Sequence, residues 1–154
     1  HLSVHSFPTR RSSDLATLAS EEWWTEYQTV VNEDEEMQQH GRDDFDANFM
    51  VGIGERRFFL EVQNGRIVDV RSPPGFDDAW DFGILGPEEA WEQFTKEVPP
   101  PHHNDVVASV YRSAVRQEEG YFQLVGNFKT VFQNFRSVQR ALNLMREVPT
   151  EGDA

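Results

Sequence analysis

The chain has 154 residues, no cysteine, 38% hydrophobic and 12% aromatic content, and a formal charge of −13 from 14 basic and 27 acidic side chains. A chain of this length buries roughly two-thirds of its unfolded surface, so it builds one cored domain without disulfides or a structural metal. Its acidity, with Lys96 and Lys129 as the only lysines, excludes nucleic-acid binders, which cluster Lys and Arg against phosphates; anionic membranes are expected to repel it, and no apolar run is long enough for membrane insertion.

Residues 6–15, Ser-Phe-Pro-Thr-Arg-Arg-Ser-Ser-Asp-Leu, resemble the in-frame translation of a common sequencing-library adapter. Residues 1–15 are therefore read as a non-native, disordered tail, with a flexible, mildly basic tail as the alternative. If the stretch marks the edge of a fragment, the true N-terminus is missing, and an upstream domain or partner enzyme with it. It lacks the apolar core of a secretory signal, so a cytoplasmic location is the default. The domain is expected over 16–148, with 149–154 as an acidic tail.

Ser20-Glu-Glu-Trp-Trp sets a capping serine and two acids ahead of Trp23, Trp24, Tyr27, Val30 and Val31 at helical spacing, which predicts an amphipathic helix over about 20–31. A second short helix follows, from the acids after Asn32 to His40-Gly41. From Phe45 the period changes to two: Phe49 and Val51, then Phe58, Leu60 and Val62, then Val68 and Val70, three strands with one buried face. Asn64-Gly65 marks a hairpin, because both central positions of a type I′ turn need positive φ, and Gly54-Glu55 turns the first pair. Trp80, Phe82 and Ile84 alternate as a fourth strand. Gly86-Pro87-Glu88-Glu89 starts a helix carrying Trp91 and Phe94. Another runs from Asn104-Asp105 to about Gln117, a fifth strand covers 121–125, and Asn127 caps a final helix over 127–147. Its Phe128, Val131, Phe132, Phe135, Val138, Leu142 and Met145 keep the 3.6-residue period. The order is that of an α+β fold, a five-stranded, mainly antiparallel sheet covered by helices on one face.

Catalytic chemistry has no visible carrier. His102 and His103 are adjacent, so on extended chain they point apart, and no His-x-x-x-His spacing converges them on a metal; they read as a loop before a helix cap. Asp43, Asp44 and Asp46 read as a solvated turn rather than a carboxylate pair. There is no Gly-x-Ser-x-Gly elbow, and Gly52-Ile-Gly54 lacks the strand-to-helix context of a dinucleotide loop. What stands out is apolar supply: large aromatics from the sheet and from the helices either fill a core or wall a cavity, and composition does not separate the two.

Three segments break the tie: Phe58-Phe-Leu-Glu-Val-Gln-Asn-Gly-Arg-Ile-Val-Asp-Val70, Trp80-Asp-Phe-Gly-Ile-Leu-Gly-Pro-Glu-Glu-Ala-Trp-Glu-Gln-Phe94, and Tyr121-Phe-Gln-Leu-Val-Gly-Asn127 before an amphipathic helix. Together they resemble the SCP-2 sterol-carrier domain over about residues 20–146. The resemblance implies a cavity that holds a sterol, fatty acyl chain or similar lipid, no cofactor and no catalytic residue, and so a carrier or regulatory module rather than an enzyme. Asn127 stands where the family usually has Asp, and 98–119 is richer in proline and helix than the family pattern. The expected wall is Phe58, Leu60, Trp80, Phe82, Trp91, Phe94, Phe128, Phe132 and Phe135, with Phe132 at its deepest part. Two alternatives remain: a small NTF2-like enzyme acting on a hydrophobic small molecule, which would end in long bent strands, and a packed regulatory domain without a ligand.

Overall fold

The computed structural model describes residues 17–41, 45–72, 74–75, 78–96, 99–101, 103 and 105–148, and for 40 and 41 the backbone alone. Within it, α1 (Glu21–Glu33) begins where Ser20 Oγ accepts the Trp23 amide at 3.1 Å, satisfying one of the donors a helix start leaves open. Its buried stripe is Trp23, Trp24, Tyr27 and Val31. Trp24 packs on Phe58 with ring centres 4.9 Å apart, and the Tyr27 hydroxyl donates to the Ala141 carbonyl. Burial raises the Tyr27 pKa far above its ordinary value, so the phenol stays protonated as that donor.

Asp34 ends α1 and opens α2 (Glu35–Gly41), accepting the Met37 amide at 3.0 Å. Both its oxygens also take Arg140, Nε at 3.0 Å and Nη2 at 2.7 Å, a bidentate geometry that fixes direction as well as charge. The Arg140 hydrogen bond holds the Asp34 carboxyl below its usual range. A carboxylate with a depressed folded-state pKa stabilises the fold above its unfolded value, and that contribution is lost as pH falls through the folded one. Asp34→Asn keeps the cap but discards the charge, so it is expected to cost about 1–2 kcal/mol at neutral pH. Urea melts of the two proteins should converge as pH falls below the ordinary Asp value, about 3.9.

Strands β1 (Ala47–Ile53), β2 (Arg56–Gln63) and β3 (Arg66–Arg71) form the expected antiparallel meander. Asn64 and Gly65 turn it with φ of 53° and 74°, the pair of positive values that a type I′ turn requires. Strand β4 (Phe82–Gly86) then lies parallel to β1 on its other side, and β5 (Gln123–Gly126) closes the sheet antiparallel to β4. The order is β3-β2-β1-β4-β5, an α+β sheet that is mostly antiparallel with one parallel pair.

Register decides which side chains meet. Phe49 sits opposite Leu60 on one flank and Phe82 on the other, and Val51 opposite Phe58 and Ile84; Leu124 continues the second row beside Ile84. This face carries the core, with Phe49 and Phe82 stacked 5.2 Å apart and 1° from parallel. The reverse face is more covered than a one-sided pattern predicts. Met50 and Phe59, paired across β1 and β2, are also buried, Phe59 beneath the Arg71 guanidinium at 4.8 Å. Asp69 and Asp78 hold that guanidinium at 2.8 and 3.0 Å.

Helix α3 (Glu88–Phe94) places Trp91 and Phe94 inward. The Trp91 indole N–H donates to the Gly52 carbonyl at 2.8 Å, and Phe122 packs against both rings, 4.4 Å from Trp91 and 5.4 Å from Phe94. Asp105 caps α4 (Val106–Ala114) through the Val107 amide, and the Phe122 amide donates to Ser109 Oγ at 2.8 Å, which ties α4 to the start of β5.

Two expected elements are corrected. The final helix is not continuous over 127–147: it divides into α5 (Phe128–Gln133), α6 (Phe135–Asn143) and a 3-10 turn, Leu144–Glu147. Asn134 breaks it, with φ −117° and ψ 28°, its side-chain amide donating to the Thr130 carbonyl. That local bond offers the backbone an alternative to the helix ladder. Trp80 lies before β4 rather than in it and is 39% exposed.

Candidate functional site

The aromatic residues expected to wall a cavity mostly fill the core. Phe58, Leu60, Phe82, Trp91 and Phe94 are each at most 4% exposed and belong to one continuous buried cluster, where ring-to-ring contacts consume the space a lipid would need. Trp80 and Phe128 lie outside it, and Phe128 is 50% exposed. The break at Asn134 explains this. In six-residue α5 only Val131 is buried, so the periodic Phe128 and Phe132 turn outward. Of the nine expected residues, Phe132 and Phe135 reach an apolar pocket.

That pocket lies between the β4–β5 edge of the sheet and the three helices α4, α5 and α6. Ile84 and Leu124 form its floor; Val106, Val107 and Val110 of α4 face Val131 and Phe132 of α5, and Phe135, Val138, Gln139 and Leu142 of α6 complete it. Its volume is about 110 Å³, and Gln139 is the one polar side chain among the lining residues. Phe132 stands at its rim, 68% exposed, not at its deepest part. The sequence does not single out the aliphatic members, because Val and Leu at helical spacing look the same in any core. The signal present was α4 itself, whose Val106 and Val110 face the sheet while Val107 does not need to.

Three wider hollows among the described residues are polar, and one of them, of about 470 Å³, holds the Asp34–Arg140 pair. Of the two others, one, of about 490 Å³, runs from Arg57 and Leu85 to Glu118–Tyr121; in it Glu118 binds Arg112 at 2.7 Å and Arg116 at 3.3 Å, and the Arg112 hydrogen bond lowers the carboxyl's pKa. The other, of about 410 Å³, gathers Asp46, Glu61 and Asp81. All three acids already have partners, Asp46 accepting the Asn64 amide, Asp81 the Asn48 amide and Glu61 the Gln63 side-chain amide beside the Arg71 guanidinium, so they hold turns and strands rather than offering a free pair. Asp43, Asp44 and His102 lie outside the described residues. His103 stacks on Tyr121, ring centres 4.9 Å apart, and among the described residues no three His, Cys, Asp or Glu side chains gather as metal ligands.

No family model and no curated protein sequence matches the chain. Solved structures do match its backbone. The crystal structure of sterol carrier protein 2 superposes with a TM-score of 0.63 at 14% identity, covering 82% of this chain and 95% of that one. A conserved hypothetical protein of Thermus thermophilus, described as a possible sterol carrier protein, gives 0.64 at 14%, over 92% and 97% of the two chains. The chain has the sterol carrier protein 2 fold. The UbiJ-SCP2 ubiquinone synthesis protein is more distant, at a TM-score of 0.50 and 12% identity over 82% and 89%.

On the sterol carrier protein 2 fold, as this chain builds it, the pocket occupies a place where sheet and helices do not close on each other. In the aromatic half, around α1 and α3, the described rings pack against one another. The pocket lies in the aliphatic half, around α4 and α5. No helix among the described residues is long and apolar enough to cross a membrane.

Proposed function

We propose that the domain binds a lipid, a sterol, fatty acyl chain or similar apolar molecule, in the pocket between β4–β5 and α4–α6, acting as a carrier or regulatory module and carrying out no chemistry on its ligand. The supporting observation is the pocket's lining: ten apolar side chains and one amide, Gln139. A site with apolar walls and a single polar group recognises a long apolar body with one polar end, for which Gln139 offers both a donor and an acceptor. At about 110 Å³ the pocket is smaller than the roughly 300–1,000 Å³ of pockets that enclose a whole drug-sized ligand. It accommodates a chain end as it stands, and a larger part of the ligand enters when α5, whose one buried side chain is Val131, swings outward.

Native mass spectrometry of freshly purified protein tests this: the expected result is an adduct of lipid mass. Val110→Trp, on half-buried Val110 of α4, fills the space with the indole, and should abolish the adduct and the uptake of a fluorescent fatty acid while changing stability by no more than about 1–3 kcal/mol. Absence of adduct and of fatty-acid uptake in the parent protein overturns the proposal in favour of a packed domain without a ligand. The NTF2-like alternative loses its support from the chain's last described elements, which are α5, α6 and a 3-10 turn in place of long strands.

A further inference from the structure

The polar hollow of about 490 Å³ lies at one end of the sheet, where the β1–β2 turn, the last residues of β4 and the connection from α4 to β5 meet. It is separate from the apolar pocket. Leu85 and Gln123 line the hollow, whereas their strand neighbours Ile84 and Leu124 floor the pocket, and successive strand residues point to opposite faces.

Arg57 stands at its side in a defined setting. Gly52, its partner across β1 and β2, has no side chain, and the guanidinium takes the place one would fill: a Cβ on Gly52 would stand 3.1 Å from Nη1 and 3.2 Å from Cζ of Arg57. Nη1 is fixed further by donating to the Gly54 carbonyl at 2.7 Å and to the Arg56 carbonyl at 3.1 Å. These bonds use one side of the group and leave the Nε–Nη2 edge without a hydrogen bond to any described residue. Nor does a described carboxylate pair with it, although the chain has 27 acidic side chains. That edge presents two parallel N–H donors, the geometry that takes both oxygens of one carboxylate. A guanidinium already held on its backbone side also loses less freedom on binding.

The rest of the lining describes what would carry the carboxylate. Ser113, Gln117, Tyr121 and Gln123 are its neutral polar residues, and Leu85 and Pro87 add apolar surface. Of the two acids, Glu118 is neutralised by Arg112 and Arg116, and Glu119 remains to disfavour a multiply charged ion. A phosphate group, near −2 at neutral pH, suits these surroundings less than a single carboxylate on a partly apolar body. The volume falls within the roughly 300–1,000 Å³ of pockets that enclose a small molecule.

We propose that this hollow binds a small organic acid, its carboxylate held by the Nε–Nη2 edge of Arg57 and its body lying along Leu85 and Pro87 toward the α4–β5 connection. The site shares no lining residue with the apolar pocket, so it stands or falls independently of lipid binding.

The test is a nuclear magnetic resonance titration of the isotope-labelled full chain with sodium benzoate at constant ionic strength, following the Arg57 Nε–H signal. Benzamide serves as the uncharged analogue and inorganic phosphate as the competing anion. A saturable shift with benzoate, none with benzamide and a weaker response to phosphate are expected. Arg57→Lys keeps the charge and loses the fork, so benzoate, followed by calorimetry, should bind roughly tenfold more weakly or worse. Ser113→Glu puts a carboxylate into the hollow without touching the turn that Arg57 holds, and should abolish binding while leaving the thermal midpoint unchanged. Arg66→Gln removes one positive charge from an exposed site outside the hollow and should bind benzoate as the parent does. The proposal is overturned by the lack of a saturable shift, by an equal response to benzamide or by tighter binding of phosphate. Undiminished affinity in Arg57→Lys or Ser113→Glu, or an equal loss in Arg66→Gln, overturns it as well.

Discussion

Trp91→Ala is expected to leave the domain largely unfolded at room temperature. Trp91 is fully buried, lies within 4.4 Å of the Phe122 ring centre and 6.2 Å of Phe94, and gives the Gly52 carbonyl its indole hydrogen bond at 2.8 Å. Truncating a buried Trp costs about 3–5 kcal/mol in lost transfer energy and a new void. The stranded carbonyl adds about 1–3 kcal/mol when no water replaces the donor. Together these approach the whole stability of a typical domain, about 5–15 kcal/mol. Trp91→Phe separates the two contributions: it keeps an aromatic body and loses the donor, so it should cost less than half as much. Urea unfolding followed by circular dichroism checks both. A loss under about 2 kcal/mol for Trp91→Ala, against the roughly 3–5 kcal/mol of a close-packed site, would show that α3 does not pack as described.

Gly126→Ala is the second large effect, and it acts through the backbone. Gly126 has φ of 93°, a region where a side chain costs about 1–2 kcal/mol. A Cβ there would also stand 2.8 Å from the Asp81 carbonyl oxygen and 2.9 Å from Phe82 Cα. Neither is the end of a flexible chain, so the strands themselves must part. The combined expectation is a loss of about 3 kcal/mol or more. Because Leu124 lies two residues back on the same strand and floors the pocket, fatty-acid uptake should fall with stability. Gly54→Ala is the control: Gly54 also has a positive φ, 61°, but a Cβ there meets nothing within 4 Å, so only the conformational cost remains. If the two variants melt alike, the steric argument at Gly126 is wrong.

Most elements were legible because each is announced locally. Ser20 caps α1, Asn64-Gly65 turns the hairpin, and Asn127 accepts the Thr130 amide at the start of α5. What was not legible depends on partners distant in sequence or on choices between equivalent faces. The parallel pairing of β1 with β4 has no turn to mark it. The break at Asn134 carries neither proline nor glycine, and Asn is only mildly unfavourable within a helix. Once α5 is six residues long, periodicity no longer says whether Val131 or the Phe128–Phe132 edge turns inward. The pocket was not legible for a related reason: Trp91, Phe94 and Phe82 have the composition of a cavity wall but pack ring against ring, and the pocket falls largely among Val, Leu and Ile residues whose spacing is that of any core.

The position of β1 between an antiparallel neighbour and a parallel one gives the sheet two halves of unequal cohesion. The β1–β2–β3 half is closed by two-residue turns, so little chain entropy is spent in forming it. Strand β4 reaches β1 only after a long excursion, and the four-residue β5 is held on one side alone. Segments of this kind open as separate cooperative units, well below the free energy of global unfolding. Amide hydrogen exchange should therefore be slowest in β1 and β2, and fastest through β5, α4 and α5. The pocket lies at the border of that looser unit, so under the proposed lipid binding a ligand larger than the resting space would enter by a partial opening that leaves the aromatic half folded.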